Sequence, residues 1–387
     1  MRPLLGGVLA LAAAMGIGRF AYTPILPAMR AAGWLTPAQA GLLAAANYAG
    51  YLAGAVLVAG AVRRAAPVAA LRAFTLAVVA TTALMSVTTG LAAWSVVRFA
   101  AGVASAGVFV LASGLVLDEL RRLGRSARAG WLFSGPGLGI VLSGLVVRVA
   151  GSSLGWRGDW AVLALAAAAA VVPCWGWPAP APMVATFPPG DPQRGDDRAA
   201  RRVVGLLFAA YALEGIGYIV TGTFLPTIVE RAPGSRGLGS AVWIVVGLAA
   251  MPAGVVWAAV GERAGHPRAL AGAFGLQAAG IVLPLLGGVG PAIGAAILFG
   301  GTFIGITTLT MTLAGRLAPT RSANLIARLT AAYGVGQMTG PVLAGAVAGR
   351  SGNFGPALVG AAALVLVGGV LMMRLARLDP SPGFAGQ

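Results

Sequence analysis

The sequence has no lysine, one cysteine (Cys174) and one histidine (His266). A lone cysteine excludes an intramolecular disulfide and a thiolate metal cluster. One histidine and ten acidic residues leave no convergent set for catalysis, so a membrane-embedded enzyme is only a distant alternative. Neither a cofactor nor a metal is expected. Charge is scarce: 10% of residues carry it, against about 25% in soluble domains. A chain that is 58% hydrophobic has too few polar residues to cover a soluble surface. Its apolar residues must face lipid.

The net charge of +17 would point to nucleic acid in a soluble domain. Here the arginines form short clusters between apolar stretches, not one basic face, so no nucleic-acid partner is expected. The arginine-for-lysine bias resembles that of a GC-rich genome and carries no functional weight.

Apolar segments long enough to span recur twelve times. They are Leu4–Met29, Ala38–Val62, Pro67–Thr89, Ala92–Leu117, Ala127–Val149, Trp160–Trp177, Val203–Val229, Leu238–Val260, Ala269–Val289, Pro291–Leu313, Asn324–Ala348 and Gly355–Leu375. A spanning helix needs roughly 17–25 residues and satisfies its own backbone in lipid. Strand alternation is absent, which argues against a β-barrel. Met1-Arg2-Pro3 before an apolar run resembles a signal peptide, but similar segments follow throughout, so the first reads as a retained helix. The 59 glycines fit helices that must pack closely without a hydrophobic force between them.

Arginine placement sets orientation. With the N-terminus cytoplasmic, 19 arginines fall on the cytoplasmic side, among them Arg63, Arg64, Arg121, Arg122, Arg201, Arg202 and Arg268. Six fall outside: Arg30, Arg148, Arg157, Arg231, Arg236 and Arg350. Both termini are therefore expected inside a bacterial inner membrane. Residues 178–202 hold six prolines and then a mixed-charge run, which is linker chemistry. The expected organisation is a six-helix bundle over 1–177, a cytoplasmic linker over 178–202, and a second bundle with a short tail over 203–387.

The two parts echo each other. Gly16-Ile17-Gly18 and Leu26-Pro27 match Gly215-Ile216-Gly217 and Leu225-Pro226, both at an offset of 199. Gly135 and Gly137 match Gly334 and Gly336 at the same offset. The reading is an all-α integral membrane protein of twelve helices in two six-helix pseudo-repeats, the layout of the major facilitator fold.

Three ionisable residues lie inside the apolar segments: Arg19, Arg98 and Glu214. Such residues face a partner or a wet cavity. At 1.5 Å per residue, Arg19 lies roughly 22 Å from the inner start of its helix, Arg98 roughly 9 Å from the outer start, and Glu214 roughly 16 Å from the inner start. Polar stripes accompany them at helical spacing: Tyr22 and Thr23; Asn47 and Tyr51; Gly102 and Ser105; Tyr211, Tyr218 and Thr221; Thr330, Tyr333 and Gln337.

Two readings fit each charge. Arg19 and Glu214 either pair structurally or serve a substrate and a proton; Arg98 either holds neighbouring carbonyls or attracts an anion. The tyrosine stripes are either packing or ligand contacts. Asn47 and Gln337 are either solute contacts or interhelical hydrogen bonds. On the functional reading Glu214 is the proton carrier. Burial and a nearby arginine act on such a carboxyl in opposite directions, so its protonation can follow which side is open.

The run Arg98-Phe99-Ala100-Ala101-Gly102 resembles the fourth-helix signature of the major facilitator superfamily, and that resemblance implies a part in proton coupling for Arg98. Gly135-Pro136-Gly137-Leu138-Gly139-Ile140 is similar to the fifth-helix signature of the superfamily's antiporters, with Ile140 where a glycine is usual. Gly261-Glu262-Arg263 through Arg268 resembles the cytoplasmic loop signature that latches helix ends, whereas only Arg63-Arg64 remain after the second segment. The opening Gly16-Ile17-Gly18-Arg19-Phe20-Ala21-Tyr22-Thr23-Pro24-Ile25-Leu26-Pro27 looks like the start of the YbfB-like branch. These resemblances imply a secondary transporter with a small-molecule substrate and protons as coupling ion; a monomer is expected, and Arg19 and Arg98 point to an anionic or strongly polar group on the solute. Proton-driven efflux of amphiphiles is the alternative in the same class.

Overall fold

The computed structural model describes residues 2–61, 67–176, 197–317 and 322–378. Arg63, Arg64 and most of the expected linker lie outside the described residues. Among the described residues there is no strand. The spanning helices are α1 (Leu4–Ala31), α2 (Pro37–Ala61), α3 (Pro67–Val87), α4 (Leu91–Arg122), α5 (Arg128–Gly151) and α6 (Ser153–Val171). They continue as α7 (Asp197–Arg231), α8 (Gly239–Ala264), α9 (His266–Val282), α10 (Val289–Leu317), α11 (Ser322–Ser351) and α12 (Gly355–Leu378).

Eleven of these, among the described residues, are long and apolar enough to cross a membrane. The helix outside that set is α11, which carries Arg328, Thr330, Tyr333, Gln337 and Thr339. It packs between α2 and α7, so part of its surface meets protein instead of lipid. Polar residues are tolerated there because other helices supply their surroundings.

Connections are short. Gly265 alone, at φ 85°, joins α8 to α9, a conformation that suits only glycine. His266, expected in a loop, is instead the first residue of α9 and is buried. The sixth segment starts earlier than Trp160: Gly155 at φ 63° turns the chain, and Asp159 enters the helix fully buried.

Helix packing follows the glycines. A Cβ at Gly50 would meet Phe99 O on α4, and one at Gly102 would meet Asn47 O on α2. Between α1 and α5, a Cβ at Gly16 would strike the Gly139 backbone. In lipid this close approach supplies dispersion that the hydrophobic effect cannot. Three helix pairs make the largest joints between the first six helices and the last six among the described residues: α2 with α11, α5 with α8 and α1 with α7. Moving six helices along the chain converts the first pair into the second and leaves the third unchanged. The joints are backbone-close: a Cβ at Gly41 would meet Pro341 O, one at Gly345 would meet Pro37 O, and one at Gly137 would lie 2.8 Å from Gly247 O. An edge-to-face cluster of Trp34, Trp94 and Trp156 caps the end of the bundle where α1 turns into α2.

Candidate functional site

The site starts from an irregularity in α1. Ala12–Ile17 form a π-helical turn, with Gly18 N bonded to Ala13 O at 2.8 Å and Phe20 N to Met15 O at 3.1 Å. Such insertions are frequent at functional sites. Pro24 offers no N–H to Phe20 O, which instead accepts from Thr23 N at 3.1 Å. Two carbonyls of this stretch are held from outside. Arg98 Nη1 donates to Gly18 O at 2.9 Å and Nη2 to Arg19 O at 2.8 Å. The Arg98 guanidinium also stands over the rings of Tyr22 and Trp160, 5.2 and 5.9 Å from their centroids. Asn47 Nδ2 donates to Arg98 O at 2.9 Å, which fixes α4 against α2. Ser105 Oγ lies 2.8 Å from Ala14 O.

The Arg19 side chain leaves α1 at this bulge and is 4% exposed. Its guanidinium carbon lies 4.4 Å from the Tyr51 ring centroid, 4.8 Å from Tyr48 and 5.3 Å from Phe20. Tyr218 and Tyr333 are within its electrostatic reach from the last six helices. Nε and Nη2 have no hydrogen-bond partner. Among the described residues no carboxylate pairs with it; the ion pair Arg121–Asp118 lies exposed elsewhere.

Opposite Arg19 the rings are nearly parallel. Tyr211 and Tyr333 are stacked at 4.3 Å and 12°, and Tyr333 and Tyr218 at 5.2 Å and 17°. Phe299 and Phe303 stack at 5.3 Å and extend the array, and Phe20 meets Phe303 edge-on at 6.2 Å. Gln337 Nε2 donates to the Tyr218 hydroxyl. Glu214, fully buried on α7, makes no hydrogen bond with either oxygen. Its polar neighbours are Gln277 on α9 and Tyr333 on α11, and the Gln277 amide is unpartnered too.

The structure thus gathers Arg19, Tyr51, Tyr211, Glu214, Tyr218, Tyr333 and Gln337 around the junction of α1, α2, α7 and α11. Arg19 and Glu214 are not an ion pair; tyrosines connect their surroundings. Arg98 and Asn47 bind backbone carbonyls of neighbouring helices. Tyr22 donates to Ala40 O at 3.0 Å, a contact with the start of α2. Thr23 Oγ1 donates to Gly222 O at 2.7 Å, bridging α1 and α7. Gly102, Gly135 and Gly139 serve close packing, and Pro136 sits in the first α-helical turn after the 3-10 segment Ser126–Phe133. Glu262 and Arg263 are exposed at the end of α8, away from this junction. The sequence reading missed Gln277, Tyr48, Phe299, Phe303 and Asp159. Gln277 is the one amide side chain in α9, a usable signal; Asp159 fell within what read as a loop.

This arrangement of paired helix bundles is that of the major facilitator transporters. A point variant of the nucleoside transporter NupG superimposes with a TM-score of 0.78 at 15% identity, covering 97% of this chain and 100% of that one. The POT family transporter PepTSo gives 0.71 at 10% identity over 96% and 97%. A bacterial homolog of the human lysosomal transporter Spinster, in an inward-facing and unoccupied conformation, gives 0.63 at 14% identity over 97% and 95%. No curated protein matches the chain in sequence. The chain belongs to the family described as the uncharacterised MFS-type transporter YbfB, which matches residues 11–373.

Proposed function

We propose that the protein is a proton-coupled secondary transporter of a small organic anion in a bacterial inner membrane, with both termini cytoplasmic. Two six-helix bundles, 1–177 and 203–387, rock about a site between them, joined by the 178–202 linker. The observation that carries this reading is Arg19. A buried guanidinium with two unpartnered nitrogens is costly unless a ligand or water completes it. It sits on α1 facing α7 and α11, where relative motion of the bundles would expose it to either side. Glu214, buried and also without a hydrogen bond, is the proton site on this reading. The transporters among the structural neighbours support the architecture; the charge at Arg19 favours an anion.

The test is flux in proteoliposomes under an imposed pH gradient. Wild-type protein should accumulate an organic anion with the gradient. Glu214→Gln should keep solute exchange and lose accumulation. If Glu214→Gln accumulates solute as the wild type does, Glu214 is not the proton site; if Arg19→Gln keeps full flux, the anion reading fails.

A further inference from the structure

The site specifies more than negative charge. The two unpartnered nitrogens of Arg19 are Nε and Nη2. They share one edge of the guanidinium plane, and their N–H bonds run side by side. That edge matches the two oxygens of one carboxylate, which it can hold as a bidentate pair. A second anionic charge has no comparable anchor. Arg98, the other buried arginine, already gives Nη1 and Nη2 to Gly18 O and Arg19 O.

The body of the ligand is specified by what borders Arg19. Tyr48, Tyr51 and Phe20 surround the guanidinium, and the array of Tyr211, Tyr333 and Tyr218 stands opposite with neighbouring rings tilted by 12° and 17°. Such a surface favours a flat π-system stacked in an offset manner. Several polar groups beside Arg19 are already bound within the protein, while Glu214 and the Gln277 amide are not. Asn47 Nδ2 is bound to Arg98 O, Tyr22 to Ala40 O, Thr23 to Gly222 O and Gln337 to Tyr218.

We infer that the transported solute is an aromatic monocarboxylate, its carboxylate on the Nε–Nη2 edge of Arg19 and its ring against Tyr218 and Tyr333. This rests on the reading of Arg19 as the anion anchor. The two can fail separately.

The experiment is calorimetric titration of the purified wild-type chain with benzoate, cyclohexanecarboxylate, acetate, benzamide and uridine. Benzoate should bind tightest, roughly three- to tenfold ahead of cyclohexanecarboxylate, the difference made by aromatic stacking. Benzamide, which keeps the ring and loses the charge, should bind at least about tenfold more weakly than benzoate. Because the series uses one unmutated protein, folding defects do not confound it. As a second arm, Arg19→Gln should abolish the preference for benzoate over benzamide, and Tyr333→Leu the preference for benzoate over cyclohexanecarboxylate. Equal binding of benzoate and cyclohexanecarboxylate, or tighter binding of acetate, overturns the aromatic assignment and leaves the anion reading standing. Tighter binding of benzamide or uridine than of any carboxylate overturns both, as does a benzoate preference that survives in Arg19→Gln. Binding by none of the three carboxylates overturns the inference.

Discussion

Arg98 offers the sharpest test of how the site is built. Family resemblance gives it a place in proton coupling, whereas the geometry makes it a clamp on α1. Its two terminal nitrogens bind Gly18 O and Arg19 O at 2.9 and 2.8 Å. Hydrogen bonds from a charged donor contribute about 1.5–3 kcal/mol each. Arg98→Leu removes both and leaves two carbonyls dry inside the bundle, so the expected loss is about 3–6 kcal/mol. Arg98→Lys keeps the charge but presents it as a point, not a fork, and should restore roughly half of that. The assay is thermal unfolding of detergent-solubilised protein followed by tryptophan fluorescence, with Trp160 already near the guanidinium. Leu should melt well below wild type and Lys between the two, with solute affinity falling in the same order because Arg19 hangs from the clamped peptide. If Arg98→Leu melts with the wild type while pH-driven flux disappears, the clamp argument is wrong and Arg98 acts in coupling alone.

Three further outcomes follow from contacts elsewhere. Gly300 and Gly301 are neighbours on α10, yet a Cβ at Gly300 would strike Val246 O and one at Gly301 would meet nothing within 4 Å; Gly300→Ala should cost about 1–3 kcal/mol and Gly301→Ala should gain up to about 1 kcal/mol, read as melting temperatures, and equal effects would refute the packing. Thr23→Val removes the bond to Gly222 across the two bundles and should disfavour this conformation by about 1 kcal/mol, roughly fivefold; spin-label distances between the Pro37 end of α2 and the Ser351 end of α11 would report it, and an unchanged distribution would refute it. Glu214→Gln replaces an unpartnered buried carboxyl with a neutral amide and should melt at or above the wild-type temperature even though coupling is lost; a marked fall would show that the carboxyl supports the fold.

Much of the architecture was legible because lipid leaves a chain few choices. Length, hydropathy and arginine clusters place the spanning helices with little ambiguity, and the helix ends moved by up to seven residues. Spacing along a helix speaks to depth but not to azimuth: nothing along a single helix says which neighbour Arg19, Arg98 or Glu214 meets. From sequence alone Arg98 fits either an anion or neighbouring carbonyls, and only the folded α1 with its bulge shows Gly18 O and Arg19 O bound to it. That bulge had a faint signal in Gly16, Gly18 and Pro24 within nine residues, a density that weakens a helix without dictating a π turn. Gln277 and the ring array were out of reach for another reason. They are joined to Glu214 and Tyr218 only by the packing of α9, α10 and α11, and ordinary phenylalanines in an apolar helix carry no mark of a site.

The repeat explains why the charges are split. Thr23 and Gly222, which touch across α1 and α7, are separated by 199 residues, the same offset that aligns the two glycine motifs. The contact therefore lies where equivalent positions of the two bundles meet. From that register Arg19 corresponds to Tyr218 and Met15 to Glu214, so each charge faces a neutral counterpart position. Backbone demands are kept in both copies: Gly16 packs on Gly139, and Gly215 on Gly336. Chemistry is present in one copy only. A carrier with Arg and Glu at equivalent positions would bring opposite charges together near the axis, and a buried pair of that kind resists separation because each ion left alone is costly. With the arginine on one bundle, the carboxyl on the other and tyrosines between them, neither is locked by its opposite, and each remains available to a partner that arrives from solution.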